Sequence, residues 1–455
     1  MKMYETTQSV EKYLNVELEC DCGRTHYAPV KAIDVRKGAI NSLPEHVKSA
    51  GYTRPYIICD KITYEIAAKK CEELLTDAGY KVTTLIIKHM GFDEATLGEI
   101  VINKPDDCDL MIGVGTGSIT DMLRYSSFKL GLPCFTVATG APMDGFAASA
   151  GIMNVNNLKA TMEAHNSEVI IGDTDILCGA PFRMTIAGFA DLVAKVNALN
   201  DWRLDVLING AHYCRKIDTL VNDYVEDILK QAEGLKNREP ETIGAVMNAL
   251  MLTGTSISLY GNSRPVSGAE HHMSHYWDSL GEQRGKLYGM HGEQVAVGTV
   301  MALMLAEELL TTDIDFDLAR EKARAYDSSA WENEVRRVYG SAADAIISLE
   351  AKSGKNDTQG CLKRIDATEK NWETIRGMLS GLRSSSEMRD MFKMIGCPCD
   401  PVDLGVDAAL LKDTILYAKE TRARYTILQL AWDLGVLEEI TDKVIARLEK
   451  MQAFG

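Results

Sequence analysis

The chain is short of positive charge. Its 455 residues carry 49 Lys and Arg against 65 Asp and Glu, a formal net charge of −16. No basic excess exists to displace counterions from a polyanion, which argues against bulk electrostatic binding to nucleic acid or to an anionic lipid surface. A small anionic substrate needs only a local site and stays open. An uninterrupted apolar run long enough to span a bilayer is also lacking. So is an apolar leader, because the start reads MKMYETTQSVEKYL. No low-complexity linker and no internal repeat breaks the chain. The length suffices for two or three domains, and with 46% hydrophobic residues at least one large core is expected.

Cysteine is not scarce. There are eleven, an odd number, including the close pairs Cys20/Cys22 and Cys397/Cys399. Without a secretory leader, reduced thiols in a cytoplasmic protein are the expectation. Each C-x-C pair stands alone locally, so a loop or packing role is expected for both in preference to metal binding.

The first part of the chain alternates short apolar β runs with helical segments. PYIICD (55–60), KVTTLII (81–87), DLMIGVG (109–115), PCFTVAT (133–139) and EVIIGDTDIL (168–177) read as strands. TYEIAAKKCEELLTDAG (63–79), ATLGEIVINK (95–104) and ITDMLRYSSFKLG (119–131) read as helices. This alternation predicts a parallel, Rossmann-like sheet with helices on both faces. From about residue 181 the texture becomes helical, as in 244–260, 292–311, 369–382 and 405–432. The expected architecture is an α/β domain over 1–180 and an all-helical domain over 181–455. The polar stretch SGKNDTQG (353–360) is expected to be an exposed loop.

DLMIGVGTGSITD sets Gly113, Gly115 and Gly117 between a strand and a helix. Glycine lets a backbone approach a pyrophosphate closely, and the helix N-terminus offers N–H groups and a positive dipole end. The spacing is GxGxG and not GxGxxG, so a tight structural turn is an equal alternative. Asp60 closes a strand, where a carboxylate can hold the ribose hydroxyls of an adenosine. It can equally cap the following helix. ATGAPMDGFAASAG (138–151) is a run of small residues with one acid, Asp144, suited to a ligand or to an Asx-turn.

Three residues carry the case for chemistry: Asp191 in GFADLVAK (188–195), His271 in SGAEHHMSH (267–275) and His291 in MHGEQVAVG (290–298). Two imidazoles and a carboxylate suffice for a catalytic divalent ion with an open position. Ser267 and Glu270 make an S-x-x-E capping box, which predicts a helix from about residue 268. His271 and His275 then share one face, and His272 points roughly 100° away. The plain alternatives are capping or core histidines, and an Asp191–Lys195 ion pair at i,i+4. Spacing alone does not join the three positions.

The motifs GVGTGSITD, TGAPMDG, AGFADLVAKVNALNDW (187–202), SRPVSGAEHHMSH (263–275) and MHGEQVAVGT (290–299) together resemble the iron-containing alcohol dehydrogenase and glycerol dehydrogenase superfamily. Within it they are most similar to the glycerol-1-phosphate dehydrogenases, and YAKETRARYTILQLAWDLG (417–435) is similar to the long bacterial form. The resemblance implies a dehydroquinate synthase-like two-domain fold and a homodimer. It implies a metal held by Asp191, His271 and His291, and a substrate contacted by Asp144, Asp191 and His275. It implies a dinucleotide lined by Gly115, Thr116, Gly117, Ser118 and Ile119 and by Thr139, Gly140, Ala141 and Pro142, with Asp60 at the adenosine end. The implied reaction is reduction of dihydroxyacetone phosphate by NADH or NADPH to sn-glycerol 1-phosphate, with Asp191 and His275 catalytic.

Two positions depart from the pattern. Lys195 stands where the iron enzymes carry a fourth, histidine ligand, which points to Zn²⁺ or Ni²⁺ in place of Fe²⁺. Ala148 stands where the family carries a serine, and Ser149 is its neighbour. Rival readings are a glycerol or other polyol dehydrogenase, a 3-dehydroquinate synthase-like lyase, and a non-catalytic sensor.

Overall fold

The computed structural model describes residues 10–155 and 158–454. The first nine residues, part of the start from which the lack of a leader was read, lie outside that range. Two compact units emerge. One comprises Met1–Val193 and Thr219–Ser263; the other comprises Ala194–Asp218 and Arg264–Gly455.

The first unit is built on six strands: β1 (Ala32–Arg36), β2 (Pro55–Cys59), β3 (Thr83–Ile86), β4 (Leu110–Gly115), β5 (Cys134–Ala138) and β6 (Val169–Asp173). They lie in the order β1-β6-β5-β4-β2-β3, every neighbouring pair parallel. Strands β2, β4, β5 and β6 are buried along their whole length. That is why PYIIC and CFTVA are continuous apolar runs: in a sheet covered on both faces neither side of a strand meets water. The flanking β1 and β3 are partly exposed and more polar. EVIIGDTDIL, read as one strand, is half strand and half helix. Asp173 ends β6 and its carboxylate accepts the Asp175 N–H at 3.0 Å, capping a helix over Thr174–Gly179. An antiparallel hairpin pairing Ala150–Val155 with Leu158–Glu163 was not foreseen in the sequence.

Six helices carry or flank the candidate residues: α1 (Gly117–Leu130), α2 (Phe182–Val193), α3 (Lys195–Asn209), α4 (Pro240–Tyr260), α5 (Ala269–Arg284) and α6 (His291–Thr311). The units do not follow the single division expected near residue 180. Helix α4 belongs with the sheet unit, where it packs on α2 and β1, although it lies some sixty residues beyond that point.

Helices α4 and α6 are both long and apolar enough to cross a membrane by length and composition, which the sequence reading did not flag. Their most apolar windows are 89% and 78% buried within the protein, as core helices are. The regular secondary structure among the described residues of the second unit is all helical. The stretch 353–360 is only in part the exposed loop expected: Ser353, Gly354, Asp357 and Gln359 are exposed, but two residues at its centre are not. Lys355 and Asn356 are buried, with the Asn356 amide donating to both carboxylate oxygens of Glu420 at 3.1 Å.

Candidate active site

In the first unit, β4 ends at Gly115 and α1 begins at Gly117, with Thr116 at the N-cap. The glycines have a packing reason. A Cβ on Gly113 would lie 2.7 Å from Leu123, and one on Gly115 would lie 2.7 Å from Ile119, so α1 could not settle on β4. A second feature suits an anion: no side chain caps α1, so the N–H groups of its first turn, over Gly117, Ser118 and Ile119, are not taken by a cap. The Thr139 N–H donates to the Gly115 carbonyl at 3.0 Å, which draws the Thr139–Pro142 segment alongside the turn. A Cβ on Gly140 would touch Met184 and Thr116. The structure thus brings Gly115 to Ile119 and Thr139 to Pro142 into one region.

Asp60 is a helix cap. Its Oδ1 accepts the Ile62 and Thr63 N–H groups at 2.7 and 2.8 Å, and the Thr63 hydroxyl accepts the Asp60 N–H at 3.0 Å. Both cap bonds to the carboxylate are accepted by Oδ1.

Asp144 and Asp191 lie together: the Asp144 N–H donates to Asp191 Oδ2 at 3.1 Å. Asp191 is fully buried near the end of α2. Its neighbour Gly188 is the residue the motif requires. A Cβ there would fall 2.0 Å from the Ala141 carbonyl oxygen and 3.0 Å from Leu250, so only glycine lets α2 approach the Thr139–Pro142 segment. Ala148, in the family's serine position, is buried; its carbonyl accepts from Arg124, and Ser149 beside it is half-buried.

In the second unit, three imidazoles cluster. His271 and His275 sit one turn apart on α5, and His291 is the first residue of α6, two helices that pack on each other. Ring centroids are 5.2 Å apart for His271 and His291, 6.4 Å for His271 and His275, and 6.1 Å for His275 and His291. His272, its ring turned away, is fully buried. Burial holds its imidazole far below the ordinary value, and Lys355, Arg424, Arg422 and Arg264 push the same way, so it is neutral.

The capping box takes a different form from that expected. The N-cap is Gly268 and not Ser267, and Glu270 Oε1 accepts the Gly268 N–H at 2.8 Å. The same oxygen lies 2.8 Å from His271 Nδ1. A carboxylate only accepts, so Nδ1 carries the proton and the lone pair sits on Nε2. His291 is set similarly. The Ser274 hydroxyl donates to Gln294 Oε1 at 2.6 Å, so it accepts from His291 Nδ1 at 3.2 Å. The Gln294 amide in turn donates to Asp278 at 2.9 Å. Such outer partners fix the tautomer and orientation of metal-binding histidines. Sequence reading missed Ser274, Gln294 and Asp278, and took Glu270 only as a cap. The spacing of Ser274 and Gln294 from the histidines, i+3 from each, was the available signal.

Behind α5, Asp201 accepts the Ala269 and Ile427 N–H groups at 2.8 Å each. Burial and the Glu270 charge push its carboxyl up to about 7, against the pull of Arg264. Arg264 is spoken for: it donates to the Asp201 and Tyr425 carbonyls and pairs with Asp205 at 2.9 Å. It is a buried structural cation. Arg422 is different, with one guanidinium nitrogen 3.4 Å from His275 Nε2.

A doubly covered parallel sheet with an uncapped glycine turn, followed by helices presenting oriented imidazoles, defines a class of metal-associated dinucleotide dehydrogenase folds. The family described as iron-containing alcohol dehydrogenase matches residues 34–181. In fold, the chain is similar to a glycerol dehydrogenase from Schizosaccharomyces pombe, with a TM-score of 0.61 at 16% identity over 93% of this chain and 92% of that one. It is likewise similar to an iron-containing alcohol dehydrogenase from Corynebacterium glutamicum, with a TM-score of 0.59 at 14% identity over 94% and 97%. A glycerol-1-phosphate dehydrogenase [NAD(P)+] from Bacillus licheniformis is 27% identical over 93% of this chain and 94% of its own length. Another, from Haloarcula marismortui, is 30% identical over 61% of this chain and 78% of its own. The chain belongs to the glycerol-1-phosphate dehydrogenase family of iron-containing alcohol dehydrogenases.

Proposed function

We propose that this chain interconverts dihydroxyacetone phosphate and sn-glycerol 1-phosphate, using NAD(H) or NADP(H) and one divalent ion. The observation that carries the reading is the imidazole cluster: His271 and His291, 5.2 Å apart, each with Nδ1 engaged by an orienting partner. The donor set proposed for the ion is Asp191, His271 and His291, one carboxylate and two imidazoles of the kind that hold a catalytic divalent ion. Lys195 in place of a fourth histidine favours Zn²⁺ or Ni²⁺ over Fe²⁺, since a protonated lysine donates no lone pair.

When bound, the ion supplies Lewis acidity to the substrate carbonyl and the reduced nicotinamide supplies hydride. The protein's own groups do the rest. Asp191, fixed by the Asp144 N–H, offers its carboxylate both to the ion and to the substrate. His275, next to the two proposed ligands, is the proposed proton donor to the reduced oxygen. The first turn of α1 and the Thr139–Pro142 segment receive the pyrophosphate. Asp60, held by its cap through Oδ1, would hold the adenosine ribose through its other carboxylate oxygen. Arg422, beside His275, is the proposed anchor for the substrate phosphate; burial lowers its pKa, yet guanidinium stays charged at any working pH.

The deciding experiment strips the metal, restores Zn²⁺ or Ni²⁺ and follows NADH or NADPH oxidation with dihydroxyacetone phosphate. Turnover restored by the metal supports the reading. Turnover with unphosphorylated dihydroxyacetone alone would make the chain a polyol dehydrogenase.

A further inference from the structure

Outside the active site, the turn Cys20-Asp21-Cys22-Gly23-Arg24-Thr25-His26 gathers two thiols and an imidazole. Two-residue strands, Leu18–Glu19 and Thr25–His26, pair antiparallel on either side of it. Gly23 takes a positive φ of 84° and its N–H donates to the Cys20 carbonyl at 3.0 Å, which folds both cysteines back toward His26. The two sulfurs and an imidazole nitrogen all lie within 4.8 Å of one another, and Cys22 Sγ is 3.3 Å from His26 Nε2.

The histidine is set for binding. Its ring is buried, and Nδ1 lies 2.8 Å from the Leu259 carbonyl oxygen near the end of α4. A carbonyl only accepts, so the proton is on Nδ1 and the Nε2 lone pair faces the thiols. That is the orientation an outer carbonyl imposes on a metal-binding histidine. The cysteines are half-exposed, so an ion can reach them from solvent. Tetrahedral zinc, with bonds of about 2.3 Å to sulfur and about 2.1 Å to nitrogen, sets such donors about 3.6 to 3.8 Å apart. The Cys22–His26 separation of 3.3 Å is within a few tenths of an ångström of that value, and the other separations lie below 4.8 Å. Two thiolates and an imidazole select a soft, tetrahedral ion over calcium or magnesium.

We propose that Cys20, Cys22 and His26 form a second, structural metal site that takes Zn²⁺, with a fourth donor completing the tetrahedron. Through the His26–Leu259 hydrogen bond the ion fastens the N-terminal turn to α4. That helix also carries Leu250 beside Gly188, and Gly254, whose absent Cβ would lie 2.8 Å from the Asp144 carbonyl. The site shares no residue with Asp191, His271 or His291, and its existence does not depend on the proposed reaction.

Cobalt distinguishes the two sites, because only thiolate ligands give Co²⁺ an intense near-ultraviolet charge-transfer absorption. The full-length protein, reduced and stripped of metal, is titrated with Co²⁺. The expected result is one equivalent of thiolate absorption that persists in His271→Ala. It should be lost in Cys20→Ser/Cys22→Ser and at least tenfold weaker in affinity in His26→Gln, with each variant's circular dichroism unchanged. Zn²⁺ should abolish the band by displacement, and in the His271→Ala background it should raise the melting temperature of the chain that keeps both cysteines but not of the chain that lacks them. Absence of the band, its survival in the double variant, or a Cys20–Cys22 disulfide in protein purified under reducing conditions would overturn the proposal.

Discussion

His271 Nδ1 lies 2.8 Å from Oε1 of Glu270, the residue immediately before it. The contact is made possible by the helix start. Glu270 turns back to receive the Gly268 N–H on the same oxygen, so one carboxylate both closes the first turn of α5 and sets the tautomer of the imidazole that follows. His291 at the start of α6 is fixed through Ser274 and Gln294. Both histidines therefore present Nε2, from helix ends that pack on each other.

Glu270→Gln tests that arrangement. The amide can still accept from Gly268 or His271, but the charge that raises the basicity of the imidazole is gone. Metal affinity should fall by roughly 10- to 100-fold with little change in fold. Competition against a chelator of known affinity measures this. Unchanged affinity would assign Glu270 to capping alone.

Asp191→Asn removes the carboxylate charge while keeping the shape and the Asp144 contact. If Asp191 is a ligand, turnover should drop by at least about 10³-fold, a loss of about 4 kcal/mol in transition-state stabilisation. NADH binding, followed by fluorescence, should survive. Equal loss of both would make this aspartate structural.

Much of this was legible in the sequence. The buried strands β2, β4 and β5 announce themselves as continuous apolar runs because both faces of the sheet are covered. The histidine spacing on α5 follows from helical periodicity alone. Other features were hidden because they depend on atoms distant in sequence. Gly188 reads as a helix-weakening residue until the Ala141 carbonyl is found 2.0 Å from its missing Cβ. Lys355 and Asn356 read as a polar loop because their partner Glu420 is more than sixty residues away. The Cys20–Cys22 pair reads as isolated until the turn at Gly23 returns the chain to His26.

Arg422 should matter to the phosphate and not to the carbonyl chemistry. With Arg422→Ala, KM for dihydroxyacetone phosphate should rise at least tenfold, equivalent to about 1.4 kcal/mol. KM for NADH should hold, and activity on unphosphorylated dihydroxyacetone should change little. An equal fall on both substrates would show that the guanidinium supports His275, 3.4 Å away, and does not bind the phosphate.

The buried cluster around Glu420 sets a pH limit on the helical unit. Glu420 pairs with Lys419 and with Lys355 at 3.1 Å, and accepts from Asn356 and the Trp331 indole. Burial alone would raise its carboxyl, but the two ammonium groups win and bring it from 4.5 down to about 2. A carboxyl depressed in the folded state stabilises above its unfolded value, and the contribution is lost as pH falls from about 4.5 through about 2. Glu420→Gln leaves Lys419 and Lys355 buried beside a neutral amide. The variant should lose about 3 kcal/mol at pH 7 by denaturant unfolding. The gap between parent and variant should narrow steadily as pH drops below about 4.5, because protonation makes the parent resemble the amide. A gap that stays constant from pH 7 to pH 3 would mean that packing, and not the ion pairs, is what the substitution removes.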